Sequence, residues 1–238
     1  DVGVTVQAYL RDSERDTQDL IAWVKQRGYP LTVRLVKGAY WDQETIKAEQ
    51  KHWQQPVFND KAATDLNFEK ITQLLLENHE YVYSAIGSHN VRSQAHAIAI
   101  AETLNIPRRR FEMQVLYGMG DKLAKALSDR GYRVRVYCPY GELLPGMAYL
   151  IRRLLENTAN SSFLRQNLEE RPIEELIAPP MVKNVETLHV TSLQKPFHPA
   201  ADTDYAAVEA REQSQRAFQQ VRQLFGKTYL PLVNGEYV

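Results

Sequence analysis

The chain has 238 residues, with 44% hydrophobic and 24% charged side chains, which is typical of a folded globular protein with one large domain or one domain and part of another. Its 29 basic and 29 acidic side chains cancel, so no overall charge favours nucleic acid or an anionic membrane. The single cysteine, Cys138, excludes an internal disulfide and any cysteine-cluster metal site, and no apolar run approaches the length of a bilayer span.

Five strand-like segments are each followed by a segment with helical spacing, up to about Arg165. In chain order the pairs are GVTVQAYL with DSERDTQDLIAWVKQRG, LTVRLVKGA with DKAATDLNFEKITQLLLEN, YVYSAIG with SQAHAIAIAETLN, RFEMQVLYG with GDKLAKALSDRG, and YRVRVYCPYG with ELLPGMAYLIRRLLEN. This alternation predicts an α/β fold with a parallel sheet, either doubly wound or closed into a barrel. No Gly-x-Gly-x-x-Gly follows the first strand, which weakens a dinucleotide-binding interpretation. A barrel needs eight units, so that interpretation places three units before this sequence.

The pattern changes after Arg165. Residues 166–203 contain tandem prolines and no sustained period, and we interpret them as a linker. The segment YAAVEAREQSQRAFQQVRQLFG predicts a helix, and YLPLVNGEYV predicts two short strands around an Asn234-Gly235 turn. The predicted domains are therefore 1–165, the linker 166–203, and the beginning of a second domain at 204–238. We expect the sequence to be part of a longer protein.

Polar and aromatic residues cluster where the predicted strands end, which is the edge that carries the active site in parallel barrels. Alternation places Arg34 and Lys37 on opposite faces of the second strand, so one of the two charges points into the barrel or its mouth. A buried charge needs a partner, which is either an anionic ligand or an acid on a neighbouring strand. The other candidates at these strand ends are Gln7, Ser88, His89, Asn90, Gln114, Leu116 and Tyr137.

Three of these features have plain structural explanations beside the functional ones. His89 is more simply a hydrogen-bonded residue at a strand end than a ligand or an acid-base group. The turn from Gly118 to Gly120 is either a phosphate cradle before a helix or an ordinary strand-to-helix connection. In the last predicted helix, Arg152 and Arg153 lie with Tyr149 and Glu156 opposite the apolar side. They form either a solvated face paired with Glu156 or a clamp for a carboxylate.

The segments VQAYL, RLVKGAYWD, SHN, FEMQVLYGMG, VYCPYG and YLIRRLLENTANSSF, in this order, resemble the proline dehydrogenase domain of bifunctional proline utilization A flavoenzymes. The resemblance covers about residues 1–165 and implies the C-terminal five units of a distorted (βα)8 barrel that holds FAD. The implied reaction is oxidation of L-proline to Δ1-pyrroline-5-carboxylate by hydride transfer to the flavin. LVNGEYV resembles the first hairpin of the aldehyde-dehydrogenase-type domain of these proteins, whose NAD site lies beyond this sequence.

The resemblance also implies residue roles. Arg34 lies against the flavin near its reactive nitrogen, where a cation favours the reduced anionic form. The other implied cofactor contacts are Gln7, Lys37, Gly38, Ala39, Trp41, Lys61, Ser88, His89, Asn90, Gln114, Glu156 and Phe163. The substrate site comprises Arg152 and Arg153, which clamp the proline carboxylate, and Tyr40, Leu116 and Tyr137 around the ring. The implied electron acceptor is a membrane quinone. A homo-oligomer in the cytoplasm, peripheral to the inner face of the membrane, is implied for the whole protein.

Two departures from the family pattern and two alternative functions accompany this resemblance. Ser88 stands where many members have threonine, and FNDK at 58–61 replaces the more usual Tyr-Thr-Arg-Lys, although Lys61 matches. One alternative is an aldolase-type barrel that forms a Schiff base on Lys37, which requires a desolvated lysine of low pKa. The other is that the isolated chain is catalytically inert, because five of eight barrel strands leave exposed edges and an incomplete cofactor site.

Overall fold

A computed structural model describes residues 3–142, 144, 146–147, 149, 151, 174, 177–181, 203–226, 232–233 and 236–237. The first part contains β1 (Gly3–Gln7), α1 (Ser13–Arg27), β2 (Leu31–Val36), α2 (Trp41–Lys51), α3 (Lys61–Glu77), β3 (Val82–Gly87), α4 (Val91–Thr103), β4 (Glu112–Leu116), α5 (Asp121–Asp129) and β5 (Arg133–Tyr137). The five predicted strands and the first four predicted helices are confirmed. The helix predicted after β5 lies largely outside the described residues.

The five strands form one parallel sheet in the order β1-β2-β3-β4-β5. Parallel crossovers are almost always right-handed, so a strand order that never reverses places successive helices on the same face of the sheet. A doubly wound sheet requires a reversal of the strand order. No reversal occurs among the described strands. The sequence predicted either a doubly wound sheet or a barrel, and the observed strand order has the connectivity of a barrel.

The hydrophobic core lies on the helix-covered face of the sheet. In β2, Leu31, Val33 and Leu35 are buried, whereas the alternating residues Thr32 and Arg34 are only partly buried. The core cluster continues through β3, β4 and α3, and its fully buried members include Phe68, Ile71, Leu75, Leu76, Val82, Ile86 and Met113. The two faces of β2 therefore have different chemistry, and Arg34 lies on the face opposite the core.

Two helices begin at side-chain caps close to the ends of strands. The Asp60 carboxylate accepts a hydrogen bond from the Ala62 amide at 2.9 Å and caps α3. The Asn90 side-chain oxygen Oδ1 accepts one from the Ser93 amide at 3.2 Å and caps α4. Both caps satisfy amide groups that the first helical turn leaves without partners.

Helix α2 was not predicted from the sequence. Its apolar spacing is weak and only Ala48 is buried, but it begins with Asp42 and Glu44 and ends with Lys51. Acidic residues at the start and a basic residue at the end match the helix dipole, and this charge order is the signal that the spacing did not provide.

The chain divides into two compact units, Asp1–Lys47 with Gln55–Val190, and Ala48–Gln54 with Thr191–Val238. In the second unit, α6 (Val208–Leu224) has no buried residue. Strands β6 (Leu232–Val233) and β7 (Glu236–Tyr237) pair in antiparallel orientation. The predicted helix and hairpin are confirmed, while the turn residues of the hairpin lie outside the described residues. Within the described part of the chain, no helix has the length and apolar character needed to cross a bilayer.

Candidate functional site

The site is built on the face of the sheet opposite the core, at the carboxyl ends of the strands. Parallel strands in register direct paired residues to the same side. The pairs Gln7 with Val36, Gln114 with Arg135, and Leu116 with Tyr137 therefore face the same side as Arg34. Five of the residues predicted at strand ends are brought together on this face, namely Gln7, Arg34, Gln114, Leu116 and Tyr137.

A chain of hydrogen bonds holds Arg34 across the sheet. Its Nε donates to Oε1 of Gln114 at 2.7 Å, and Nε2 of Gln114 donates to Oε1 of Glu112 at 2.6 Å. Arg135 Nη2 lies 3.0 Å from the second oxygen of Glu112. The Glu112 side chain is 1% exposed, so this carboxylate is a buried anion with a donor on each oxygen. The network connects β2, β4 and β5.

Arg34 crosses β3 to reach Gln114, and the residues of β3 beneath it are small. Ala85 pairs with both Arg34 and Glu112, and Gly87 pairs with Gln114. A Cβ atom on Gly87 would lie 3.0 Å from Val36 Cγ1 and 3.7 Å from Arg34 Nη2. A side chain at Gly87 would therefore crowd Val36 and extend toward the Arg34 guanidinium.

Tyr137 lies beside the Arg34 guanidinium, and Tyr149 lies beside Tyr137. Arg34 Cζ is 5.7 Å from the ring centroid of Tyr137, within the range of a cation–π contact. The ring of Tyr149 lies 5.9 Å from that of Tyr137. Tyr137 is 48% exposed. An aromatic wall that is partly open to solvent thus stands next to the cation, as a pocket for a flat ligand requires.

The segment Ser88 to Asn90 forms a compact turn between β3 and α4. The Ser88 hydroxyl accepts a hydrogen bond from the Asn90 amide at 3.1 Å, and Asn90 caps the helix. His89 Nε2 accepts a hydrogen bond from the Leu116 amide at 2.9 Å. The histidine therefore carries its proton on Nδ1 and joins the ends of β3 and β4. The hydrogen-bonded strand-end role of His89 is confirmed, and its cofactor contact stays a prediction.

Lys37 lies on the opposite side from Arg34, as alternation predicts. Its Nζ is 2.5 Å from Asp65 Oδ1 and 5.5 Å from the ring centroid of Phe68, both on α3. The sequence suggested an acid on a neighbouring strand as the partner, whereas the acid comes from a helix. Lys61 Nζ contacts the other oxygen of Asp65 at 2.9 Å. Two of the predicted cofactor ligands, Lys37 and Lys61, thus share one carboxylate.

The pKa values of Lys37 and Asp65 are both lower than usual, for different reasons. Burial lowers the pKa of Lys37 below its usual value, and the single Asp65 carboxylate offsets this only in part. For Asp65, burial acts to raise the pKa, but the charges of Lys37 and Lys61 outweigh burial and the pKa lies below its usual value. The charged form of Asp65 is therefore favoured by its surroundings, whereas the charged form of Lys37 is disfavoured.

The loop after β2 is shaped by a close approach to an aromatic ring. Gly38 has φ +124°, and a Cβ there would lie 2.5 Å from the ring of Tyr9. Burial, with the Glu44 charge second, raises the pKa of Tyr9 to about 12. The following residues Ala39 and Tyr40 are exposed. Trp41, which is 41% exposed, donates from Nε1 to the Phe58 carbonyl at 2.7 Å. The loop thus presents exposed side chains from a tightly fixed backbone.

Arg152, Arg153, Glu156 and Phe163 lie outside the described residues. In the turn between β4 and α5, Gly118 has φ +74°, and a Cβ on Gly120 would lie 3.1 Å from the His89 ring. Among the residues that the structure describes, no group of three or more acidic, histidine or cysteine side chains could hold a metal ion.

Three residues of the site were missed by reasoning from the sequence, namely Asp65, Gly87 and Glu112. A glutamate within the apolar strand FEMQVL is a signal of a buried, partnered charge. The glycine that ends YSAIG is a signal of a close approach to a strand. Asp65 had no visible signal, because it lies among the polar residues of an amphipathic helix.

The fold and the site define an α/β protein with a cationic, aromatic cluster at the carboxyl edge of a parallel sheet. Residues 1–166 match the model of the proline dehydrogenase family, and the chain belongs to that family. Both proline oxidation and an oxidoreductase assignment are consistent with this membership.

Several similar proteins are named as bifunctional proteins PutA or as proline dehydrogenases. The bifunctional protein PutA of Salmonella typhimurium is 32% identical over 79% of this chain and 15% of its own length. PutA of Rhizobium meliloti is 37% identical over 76% of this chain and 15% of its own. Proline dehydrogenase 1 of Bacillus subtilis is 32% identical over 70% of this chain and 49% of its own.

A solved structure aligns with almost the whole chain. This is the crystal structure of proline utilization A from Bdellovibrio bacteriovorus inactivated by N-propargylglycine. The alignment covers 99% of this chain and 25% of the chain in that structure, with a TM-score of 0.81 and 41% identity. The chain thus spans between 15% and 49% of the relatives named above.

Proposed function

We propose that this chain supplies the C-terminal five units of a distorted (βα)8 barrel that oxidises L-proline to Δ1-pyrroline-5-carboxylate with FAD. The strand order without reversal supports the barrel. The edge strands also support it, because most residues of β1 and β5 are exposed and further strands of a longer polypeptide would cover them. The family match supports the reaction.

The observation that carries this proposal is the fixed position of Arg34 at the carboxyl edge of the sheet, between Gln114 and Tyr137. FAD, when bound, would accept the hydride that leaves the substrate. A guanidinium beside the ring stabilises the negative charge that reduction creates. The donor chemistry fits such a group, since Gln7 and Arg34 offer N–H donors from the same face to the nitrogen and oxygen acceptor atoms of the ring.

The other cofactor ligands are assigned by the resemblance and supported by their placement. Ser88, His89 and Asn90 lie at the end of β3, next to β4 and its Gln114. The exposed loop from Gly38 to Trp41 follows β2, and Lys61 begins α3. We propose that these residues, together with Lys37, Glu156 and Phe163, bind FAD.

The proline site is proposed at the aromatic wall. Tyr40, Leu116 and Tyr137 would surround the ring of the substrate and exclude water. Arg152 and Arg153 would hold its carboxylate by paired, charge-assisted hydrogen bonds. Tyr149 supports this assignment, because its ring lies 5.9 Å from that of Tyr137. The sequence pattern predicts a helix here, in which positions three and four residues after Tyr149 would share its side.

The whole protein is proposed to be bifunctional and homo-oligomeric, with residues 166–203 as linker and 204–238 as the start of an aldehyde-dehydrogenase-type domain that uses NAD. Electrons would pass from the flavin to a membrane quinone, from a cytoplasmic enzyme peripheral to the inner membrane face. The PutA names of several relatives support the bifunctional assignment.

A flavin spectrum and proline kinetics test the proposal. The full-length protein that contains these residues should retain FAD after desalting, and L-proline should bleach its absorbance. The isolated 238-residue chain should lose FAD on desalting, because its barrel is incomplete. Stoichiometric flavin on the isolated chain contradicts the incomplete barrel, and a full-length protein that proline does not reduce contradicts the function.

Variants of the full-length protein test the clamp. Arg152→Ala or Arg153→Ala should raise KM for proline by about two to three orders of magnitude, since loss of one partner of a hydrogen-bonded charge pair costs about 2 to 5 kcal/mol. Arg109→Ala, at an exposed arginine before β4, is the control and should leave KM unchanged. Unchanged kinetics in both clamp variants would exclude these residues from the proline site.

The aldolase alternative is disfavoured by the Lys37 ion pair. Burial lowers the pKa of this lysine, as a Schiff-base mechanism requires. However, its Nζ is paired with the Asp65 carboxylate, and this ion pair stabilises the ammonium form, which cannot attack a carbonyl group. Borohydride trapping of a keto compound on Lys37 would restore the alternative.

A further inference from the structure

The Gln114 amide joins a cation to an anion, and this determines its orientation. Arg34 Nε–H can only donate, so Gln114 must offer its carbonyl oxygen on that side. A carboxylate can only accept, so Gln114 must offer its amide hydrogens to Glu112. Both distances, 2.7 Å and 2.6 Å, are short, as hydrogen bonds to charged groups are.

The Glu112 side chain is hydrogen-bonded through both of its oxygens. Its second oxygen lies 3.0 Å from Arg135 Nη2, so each oxygen has its own donor. The pair is asymmetric in exposure, because the Glu112 side chain is 1% exposed and that of Arg135 is 65% exposed. The buried carboxylate is therefore the fixed point of the network, and the arginine on β5 covers it from the solvent side.

We propose that Glu112 is a positioning residue that fixes the Gln114 amide, so that Gln114 holds the guanidinium of Arg34 in a single orientation toward the ligand. Neutral glutamine at position 112 can donate or accept, so Gln114 could then turn its amide hydrogens toward Arg34 and repel it. Glu112 need not touch the flavin or the substrate. The orientation is a property of this chain alone, while its consequence for the flavin rests on the proposed function.

The first test uses the full-length protein that contains these residues, without flavin and with ¹⁵N-labelled arginine and glutamine. In the wild-type chain the side-chain Nε–H of Arg34, identified by its loss in Arg34→Met, and the side-chain NH₂ of Gln114 should be protected from hydrogen exchange. Glu112→Gln should speed exchange at Arg34 Nε–H by at least about tenfold, the population ratio that corresponds to loss of a hydrogen bond to a charged group.

Two further variants keep this test decisive. Glu112→Asp keeps the charge but moves it away from Gln114 by one methylene, and it should also speed exchange at Arg34 Nε–H. It serves as the test variant if Glu112→Gln does not fold. Glu102→Gln, on α4, changes a carboxylate whose Oε1 lies 3.2 Å from the Tyr132 hydroxyl, and it should leave Arg34 unaffected. Rapid exchange of Gln114 or Arg34 already in the wild-type chain overturns the proposal, whatever the variants do.

The second test measures the midpoint potential of the flavin in the full-length protein. Positioning predicts that Glu112→Gln lowers the potential in the same direction as Arg34→Met and adds nothing in the Arg34→Met background. A direct effect of the lost negative charge would instead raise the potential in both backgrounds, and a merely structural role would leave it unchanged. Either result overturns the proposal. If the full-length protein holds no flavin, the proposed function fails, but the exchange test still decides on Glu112.

Discussion

Asp65→Asn should destabilise the chain more than Lys37→Met, although both substitutions break the same ion pair. Asp65 is the shared partner of two ammonium groups, at 2.5 Å from Lys37 and 2.9 Å from Lys61. Asparagine at this position leaves both cations without a carboxylate. Methionine at position 37 removes one desolvated charge, packs against the Phe68 ring and leaves Asp65 paired with Lys61.

The magnitudes follow from burial. Breaking a fully buried ion pair by removing one partner costs about 3 to 5 kcal/mol. The side chains of Lys37 and Asp65 are 22% and 18% exposed, so solvent screens part of this interaction. We therefore expect about 2 to 3 kcal/mol for Asp65→Asn, after a discount for screening. For Lys37→Met we expect less than about 1 kcal/mol, because apolar replacement of a buried charge also removes its desolvation cost.

The pH dependence of the two variants differs in sign. The two lysines hold the pKa of Asp65 below its usual 3.8, against the opposing effect of burial. Its contribution to stability is therefore complete above that value and is lost as the pH falls through the lower folded pKa. Burial lowers the pKa of Lys37, so the cost of keeping it protonated disappears as the pH rises from its folded pKa toward 10.5.

Urea unfolding followed by circular dichroism measures these differences. At pH 7, Asp65→Asn should lower the free energy of unfolding more than Lys37→Met, and its deficit should shrink below about pH 4, where the unfolded wild-type carboxyl becomes protonated. Asp129→Asn breaks an exposed pair with Lys125 and is the control, with little expected change. A larger loss in Lys37→Met, or a deficit of Asp65→Asn that grows in acid, would refute the assignment of Asp65 as the shared anion.

Three further predictions concern the supports of the site. Gly87→Val should displace Arg34, because a Cβ at this position would already lie 3.7 Å from Arg34 Nη2 and the valine methyl groups would extend beyond it. The protected Arg34 Nε–H signal should be lost while circular dichroism is retained. Asn90→Ala should lower the free energy of unfolding by about 1 kcal/mol through loss of the α4 cap, whereas Asn90→Asp should not, as urea titrations would show. Glu69→Gln should destabilise by about 1 to 3 kcal/mol, since Arg92 bonds both carboxylate oxygens at 2.7 Å and 3.0 Å, and the loss should be reproduced by Arg92→Met.

The fold was predictable because its signals are local. Apolar runs of strand length followed by amphipathic segments specify the βα units, and alternation in LTVRLV correctly separates Arg34 from the core. The extent of the second strand was less certain from the sequence. Lys37 follows β2, because the chain turns at Gly38, whose φ of +124° and contact with Tyr9 end the strand.

The site was predictable only as a set of strand ends. That set placed Gln7, Arg34 and Gln114 at one edge of the sheet, but it could not identify which side chains form hydrogen bonds or ion pairs with each other. Pairing depends on the register between strands, which single-strand patterns do not contain. The Lys37 partner illustrates this limit, since Asp65 comes from a helix that the sequence describes only as amphipathic.

The positions of the two charges in and directly after β2 follow from the partners that each face of the sheet offers. On the core face, a charge needs an acid from a covering helix, and Lys37 obtains Asp65 from α3. On the other face, Arg34 reaches sideways along the sheet to its hydrogen-bond partner, Gln114. It can do so only across small side chains, and Ala85 and Gly87 provide that passage to Gln114. The buried carboxylate of Glu112, two residues before Gln114 on β4, is linked to Arg34 through this neutral amide instead of a direct ion pair. Because the amide separates the charges, the guanidinium keeps its positive charge available to a ligand while its orientation is fixed.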